Sequence, residues 1–189
     1  MPIHRIDALI QMGDNKMVST PISLRLAREQ DALALYEIGM QSYMHHFAAL
    51  WNNKDELFEY LNQEYSTDKI IHDISQPNVE WYVIESEFPI GLVKLTHQEK
   101  IPDTQMAGTL LNKLYFLPAA TGKGYGKLIL KLIEDIAINK SSDILWLDVL
   151  ASNSRAIQLY QSNGLKILKE ILFKTESQQT LEYIMYKTL

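Results

Sequence analysis

One stretch constrains this chain more than any other: Leu114 to Ile136, LYFLPAATGKGYGKLILKLIEDI. A strand-like apolar run, Lys113 to Leu117, stops at Pro118. Glycines follow at Gly122, Gly124 and Gly126, and an apolar-periodic helix begins without a gap. Its Ile129, Leu132, Ile133 and Ile136 fall at i, i+3, i+4 and i+7, one face of a helix. Strand, glycine loop, helix is the layout that holds a phosphate on the free N–H groups of a helix start. The segment therefore points to an α/β architecture and a phosphate-bearing cofactor.

Spacing excludes two familiar phosphate loops. A P-loop ending at Gly126-Lys127 requires glycine at position 121 and Ser or Thr at 128, where the chain has Thr121 and Leu128. A Rossmann fingerprint starting at Gly122 requires glycine where Lys127 stands. What remains is Gly122-Lys123-Gly124-Tyr125-Gly126-Lys127. Gly124 and Gly126 let backbone approach a pyrophosphate with no Cβ in the way. The helix start favours negative charge by roughly 0.3–1 kcal/mol, and up to about 2 in a buried site. Lys123 and Lys127 add point charges; Lys127 in the first helical turn is unfavourable for the helix alone, and a bound anion offsets it. Taken by itself, the loop also reads as a plain glycine-rich turn capping a helix.

Around this segment the chain reads as alternating α and β. Strands are expected at Ile22–Leu26, Glu80–Glu85, Ile90–His97, Thr109–Leu117, Ile144–Leu150, Leu165–Lys174 and Leu181–Thr188, with Phe88-Pro89 turning a hairpin. Helices are expected at Asp31–His46, Asp55–Tyr65, Thr67–Ile74, after the glycine loop, and from a cap at Ser152 to the Asn163-Gly164 stop signal. Residues 1–20 show no clear periodicity and are set apart as an N-terminal extension, with Met17 an alternative start; residues 21–189 read as a single domain. No apolar run is long enough for a membrane helix, and the N-terminus lacks the apolar core of a signal peptide. The chain has no cysteine, which excludes disulfides, thiolate metal sites and a cysteine nucleophile. A cytoplasmic location is inferred, and a net charge of −5 argues against a general nucleic-acid binder.

A second segment makes the reading specific. LYFLPAATGKGYGKLIL resembles motif A of the GNAT superfamily of acetyl-CoA-dependent N-acetyltransferases, Gln/Arg-x-x-Gly-x-Gly/Ala, which falls here on Thr121, Gly124 and Gly126. Thr121 departs from the usual Gln or Arg. LWLDVLASNSRAIQLYQSNGLK is similar to the family's second signature at Asn153, Arg155, Ala156, Tyr160 and Gly164, with Leu165 in place of an aromatic residue. The likeness runs from about Ile22 to the C-terminus. It implies a mixed, mostly antiparallel sheet of about six to seven strands flanked by about four helices. It implies acetyl-CoA as co-substrate, no metal, an amine acceptor attacking directly in a ternary complex, and allows a homodimer.

The resemblance also assigns roles. Tyr160 would donate a proton or hydrogen bond to the departing CoA sulfur; without the motif, Ala156, Leu159 and Tyr160 share core spacing. Asn153 would contact the cofactor, or serve as a helix-start residue. Phe116 and Leu117 would offer backbone groups to the acetyl carbonyl and pantetheine arm. A lysine-like amine is neutral in only about one molecule in 2,500 at pH 7, so the reaction needs a base or an equivalent. Many relatives carry a glutamate before the glycine loop, where Leu110 or Asn112 stands here. His45, His46 and His97 qualify by chemistry alone, and no base is assigned. For the acceptor, Tyr43, Phe47, Trp51 and Tyr60 with Asp55, Glu56, Glu59 and Glu64 suit a cationic amine, although each carboxylate taken singly reads as part of a solvated helix face, and the pattern is similar to bacterial spermidine/spermine N-acetyltransferases. A peptide N-terminal acetyltransferase and a non-catalytic CoA-binding module are the alternatives.

Overall fold

The computed structural model describes residues 3–9 and 19–189. Eight strands are present: β1 (Ile3–Leu9), β2 (Ser19–Leu26), β3 (Val79–Glu85), β4 (Pro89–Lys100), β5 (Ala107–Phe116), β6 (Ile144–Leu150), β7 (Lys166–Lys174) and β8 (Gln179–Thr188). Five α-helices accompany them: α1 (Ala32–Phe47), α2 (Lys54–Tyr65), α3 (Thr67–Ile74), α4 (Tyr125–Asn139) and α5 (Ser154–Ser162). The strands form one sheet in the order β1-β2-β3-β4-β5-β6-β8-β7, antiparallel throughout except between β5 and β6. The mixed, mostly antiparallel sheet with flanking helices is the expected class. The additional strand is β1, which pairs with β2 from within the stretch the sequence set apart. Met1 and Met17 lie outside the described residues.

The pleat of β3 shows how the sheet is clad on two sides. Tyr82 and Ile84 point into a core with Ile129, Leu130, Ile133 and Ile136 of α4. Trp81 and Val83 point the other way, onto Leu35 and Ile38 of α1, Leu57, Leu61 and Tyr65 of α2, and Ile70 of α3. Ile129 and Ile133 are fully buried, each such side chain stabilising the fold by about 1.5–3 kcal/mol. Helix starts are fixed locally. Asn53 accepts the Asp55 N–H, Ser66 the Lys69 N–H, and Asn153 the Ala156 N–H. Asn153, not Ser152, therefore caps α5.

A seam opens in the middle of the sheet. β5 and β6 pair only at Thr109/Leu145 and Leu110/Trp146. Beyond those pairs β5 continues to Phe116 and β6 to Leu150 with no ladder between them. The α1–α2 connection reaches over to the β7–β8 turn, where the Asn52 backbone N–H donates to Gln178 Oε1 at 2.8 Å.

Candidate active site

A cleft of about 780 Å³ fills the seam. One end is built by the glycine loop, α4 and α5. Gly122 and Gly124 adopt φ of +78° and +79°, a left-handed conformation that glycine enters without steric cost. Gly124 is the N-cap of α4 and supplies no side-chain hydrogen bond to the helix. The first-turn N–H groups, which have no intrahelical partner, therefore remain available to an anion. A Cβ on Gly124 would meet nothing within 4 Å, whereas one on Gly126 would stand 3.0 Å from Leu159. Gly126 thus serves the close approach of α5 as well as of a ligand. The Tyr125 side chain is buried in the core beside Phe116, so what it can offer is backbone.

Of the residues named from sequence, Phe116, Gly122, Gly124, Tyr125, Gly126, Lys127, Asn153 and Tyr160 line the cleft. Leu117 and Lys123 are not in its lining. The Leu117 N–H donates to the Ile90 carbonyl and its own carbonyl accepts from Ala120. Its N–H is therefore engaged, and its carbonyl keeps one further lone pair. Phe116 differs. Since Ile90 and Leu117 form a hydrogen-bonded pair, antiparallel alternation turns the Phe116 N–H and C=O away from β4. Thr121 is committed to its own turn, its hydroxyl donating to the Pro118 carbonyl at 2.9 Å. The position a Cβ on Gly122 would take lies 3.7 Å from an Arg155 guanidinium nitrogen, so Arg155 reaches the loop from α5. With Lys127 it places cations at this end.

The opposite end is aromatic. Tyr43 lies 5.0 Å from Phe47 and 5.3 Å from Tyr60, Trp51 lies 5.3 Å from Tyr60, and Phe173 of β7 closes against Trp51 and Tyr60 at 6.1 Å. Tyr115 stands 5.7 Å from Phe47. All six line the cleft. Four were named from sequence; Tyr115 and Phe173 were not. The acids of α2 do not join them. Leu57, Leu61 and Tyr65 take the buried face of that helix, and Asp55, Glu56, Glu59 and Glu64 are not in the cleft lining. Glu64 instead pairs with the buried Lys113 at 2.7 Å. The carboxylates in the lining are Asp148 of β6 and Glu182 of β8.

These two acids are perturbed. Asp148 is open to the cleft, and crowding by the surrounding walls raises its carboxyl above the usual range, against the attraction of Lys113. Burial and then the Asp148 charge raise Glu182 to about 7. Tyr160 is raised by burial and by Asp148, so its phenol stays protonated at neutral pH and can donate. The histidines divide. His97 is held between Glu80 at 2.9 Å and Thr109 at 3.1 Å and is not in the cleft lining. His46 lines the cleft with its ring hydrogen-bonded to the Phe116 backbone, and burial lowers its pKa. Leu110 packs in the small core with Trp146, and Asn112 accepts the Thr96 hydroxyl at 2.8 Å. Among the described residues, no group of three or more His, Asp or Glu side chains could hold a metal ion, and no helix is long and apolar enough to cross a membrane.

The cleft is therefore polarised, with open helix N–H groups and two cations at one end, and aromatic rings and two carboxylates at the other. A diphosphate fits the first, and bound there acetyl-CoA supplies a thioester. Relatives agree. An uncharacterized N-acetyltransferase encoded in the pepI 3' region of Lactobacillus delbrueckii subsp. lactis is 22% identical over 140 residues, 73% of this chain and 81% of that protein. The PaiA N-acetyltransferase of Thermoplasma acidophilum, solved with coenzyme A, superposes with a TM-score of 0.71 at 23% identity, over 89% of this chain and 99% of that one. The spermidine N-acetyltransferase of Vibrio cholerae, solved with CoA and spermine, gives 0.60 at 18% identity, over 88% and 95%. The sequence model of the acetyltransferase (GNAT) family matches residues 42–165. That match takes in the glycine loop, both seam strands and α5, spans well over half of the sequence, and shows that the chain belongs to this family and is an acetyl-CoA-dependent N-acetyltransferase.

Proposed function

We propose that the acceptor is a small cationic amine of the polyamine type, acetylated by direct attack on the acetyl thioester in a ternary complex. The observation that carries this reading is the aromatic box facing two carboxylates, Asp148 and Glu182, with no ion-pair partner of either among the described residues. Ring faces attract an ammonium by about 0.5–1 kcal/mol when exposed and about 2 when desolvated. Two carboxylates favour a substrate with more than one positive charge. The fold shared with a spermidine N-acetyltransferase is compatible with such an acceptor.

In this reading the loop Gly122–Lys127, Asn153 and Arg155 hold the CoA diphosphate end. The Asn153 carbonyl oxygen is occupied in capping α5, which leaves its amide N–H groups for the ligand. The Phe116 N–H faces the acyl end, its carbonyl accepting from the His46 ring, and the Tyr160 phenol donates to the sulfur as the C–S bond breaks. The test is a screen of amines with acetyl-CoA, read by thiol release. Turnover of di- and polyamines above monoamines is expected. Turnover of peptides alone would overturn the acceptor assignment.

A further inference from the structure

We propose that Glu182 is the base that takes the proton from the acceptor ammonium, with Asp148 as the positioning residue that tunes it. The inference rests on the amine-acceptor reading above and names the group that sequence could not. Four features of the site support it. Glu182 lines the cleft from β8 and is half-buried there. It lies opposite Leu150 on β6 and Ile171 on β7, an apolar setting that penalises its charge. Asp148 sits two residues away on the same face of the neighbouring strand, opposite Ile184, within reach for side-chain interaction. No cation pairs with either carboxylate among the described residues, so the incoming ammonium is their partner.

The other groups that bear on Glu182 are accounted for. Tyr43 of α1 feels its charge. Tyr60, Tyr115 and Tyr160 feel that of Asp148 and are raised above the ordinary phenol range, so all three are neutral donors at pH 7. Lys113 attracts Asp148 but is bound to Glu64. His46 is turned onto the Phe116 backbone and its pKa is lowered. Glu182, raised to about 7, is matched to a base working at neutral pH.

The step balances as follows. The ammonium proton passes to a Glu182 oxygen. The freed nitrogen lone pair attacks the acetyl carbonyl carbon, and the C–N bond forms as the C–S bond breaks. Tyr160 donates its proton to the sulfur and is restored by the second nitrogen-bound proton. The Glu182 proton leaves to solvent, so one amide, one thiol and one proton result.

The test compares the wild type, Glu182→Gln and Asp148→Asn with an alkyl diamine and a fluorinated analogue of lower amine pKa. In the wild type, the acidic limb of kcat/KM should fall near pH 7 with both amines. Glu182→Gln should lower kcat/KM at pH 7 by roughly 10²–10⁴-fold, and its limb should follow each amine's own pKa. Asp148→Asn should move the wild-type limb down by about one pH unit, because a like charge is removed. Carboxyl ¹³C shifts of Glu-labelled protein should show a resonance titrating near 7 that Glu182→Gln deletes. CoA-induced thermal stabilisation should persist in both variants, which separates these effects from misfolding. A wild-type limb that follows the amine, or a limb unchanged by Glu182→Gln, would overturn the base. If no amine of any class is turned over, the acceptor reading falls and takes this inference with it.

Discussion

Asp148 and Glu182 face the same cleft from neighbouring strands, Asp148 opposite Ile184 and Glu182 opposite Leu150, so the two carboxylates share a face of the sheet. Lys127 and Arg155 stand at the other end of the same cleft. The charge pattern therefore gives the site a direction, with cations near the start of α4 and carboxylates where β6 meets β8.

Tyr160 is expected to act on the departing sulfur. Tyr160→Phe should cut turnover by roughly 10²–10⁴-fold while acetyl-CoA protects the variant against heat as it does the wild type. Single-turnover kinetics with a thiol readout, beside thermal melts, check this. Full activity would return Tyr160 to a packing role.

Trp51 should act on the acceptor alone. Its ring packs at a tilt against Tyr60 and edge-to-face against Phe173, and it donates to the Tyr43 hydroxyl at 3.3 Å. Trp51→Ala removes one cation–π face, worth about 0.5–2 kcal/mol, so KM for the amine should rise roughly 2- to 30-fold. Calorimetry should find CoA affinity unchanged.

Arg155 is exposed and reaches the glycine loop. Arg155→Ala should leave the melting temperature unchanged. It should weaken CoA binding by roughly two- to fivefold and flatten the dependence of that binding on salt. Titrations at low and high ionic strength check this.

Acid stability should depend on Glu80. Burial alone would raise its carboxyl, but hydrogen bonds from His97, Lys140 and Tyr82 outweigh that and hold it at about 2. The folded pKa is thus below the unfolded value of about 4.3. The stabilisation is fully present above that value and is lost as the pH falls through 4 towards 2, a contribution on the order of 3 kcal/mol. Denaturant unfolding of Glu80→Gln should show lower stability at pH 7 and a shallower loss between pH 5 and 3.

The donor half of the site was legible because it is local. Gly122, Gly124 and Gly126, the helix that follows them, and Asn153 to Tyr160 with its capping asparagine all follow from short-range patterns. The acceptor half was legible only in its aromatic helix residues. Phe173 and Glu182 arrive through the β7–β8 hairpin, whose position beside β6 no local pattern announces. Asp148 did leave a signal, a lone acid inside the apolar strand ILWLDVL. The acids of α2 stayed open between two readings because a polar helix face looks the same whether it turns to a ligand or to solvent. β1 escaped because IHRIDAL has no strict alternation.

The sheet itself is the partition between the two halves of the chemistry. In the proposed reading, diphosphate-binding groups come from the α4 and α5 side and amine-binding groups from the α1 and α2 side, and the two meet where the β5–β6 ladder ends. Acceptor preference can consequently drift, by exchange of rings and acids on one side, while the donor stays fixed. A designer seeking to retarget the enzyme would work on the rings within residues 43–60 and on Phe173, and leave the glycine loop and Glu182 alone.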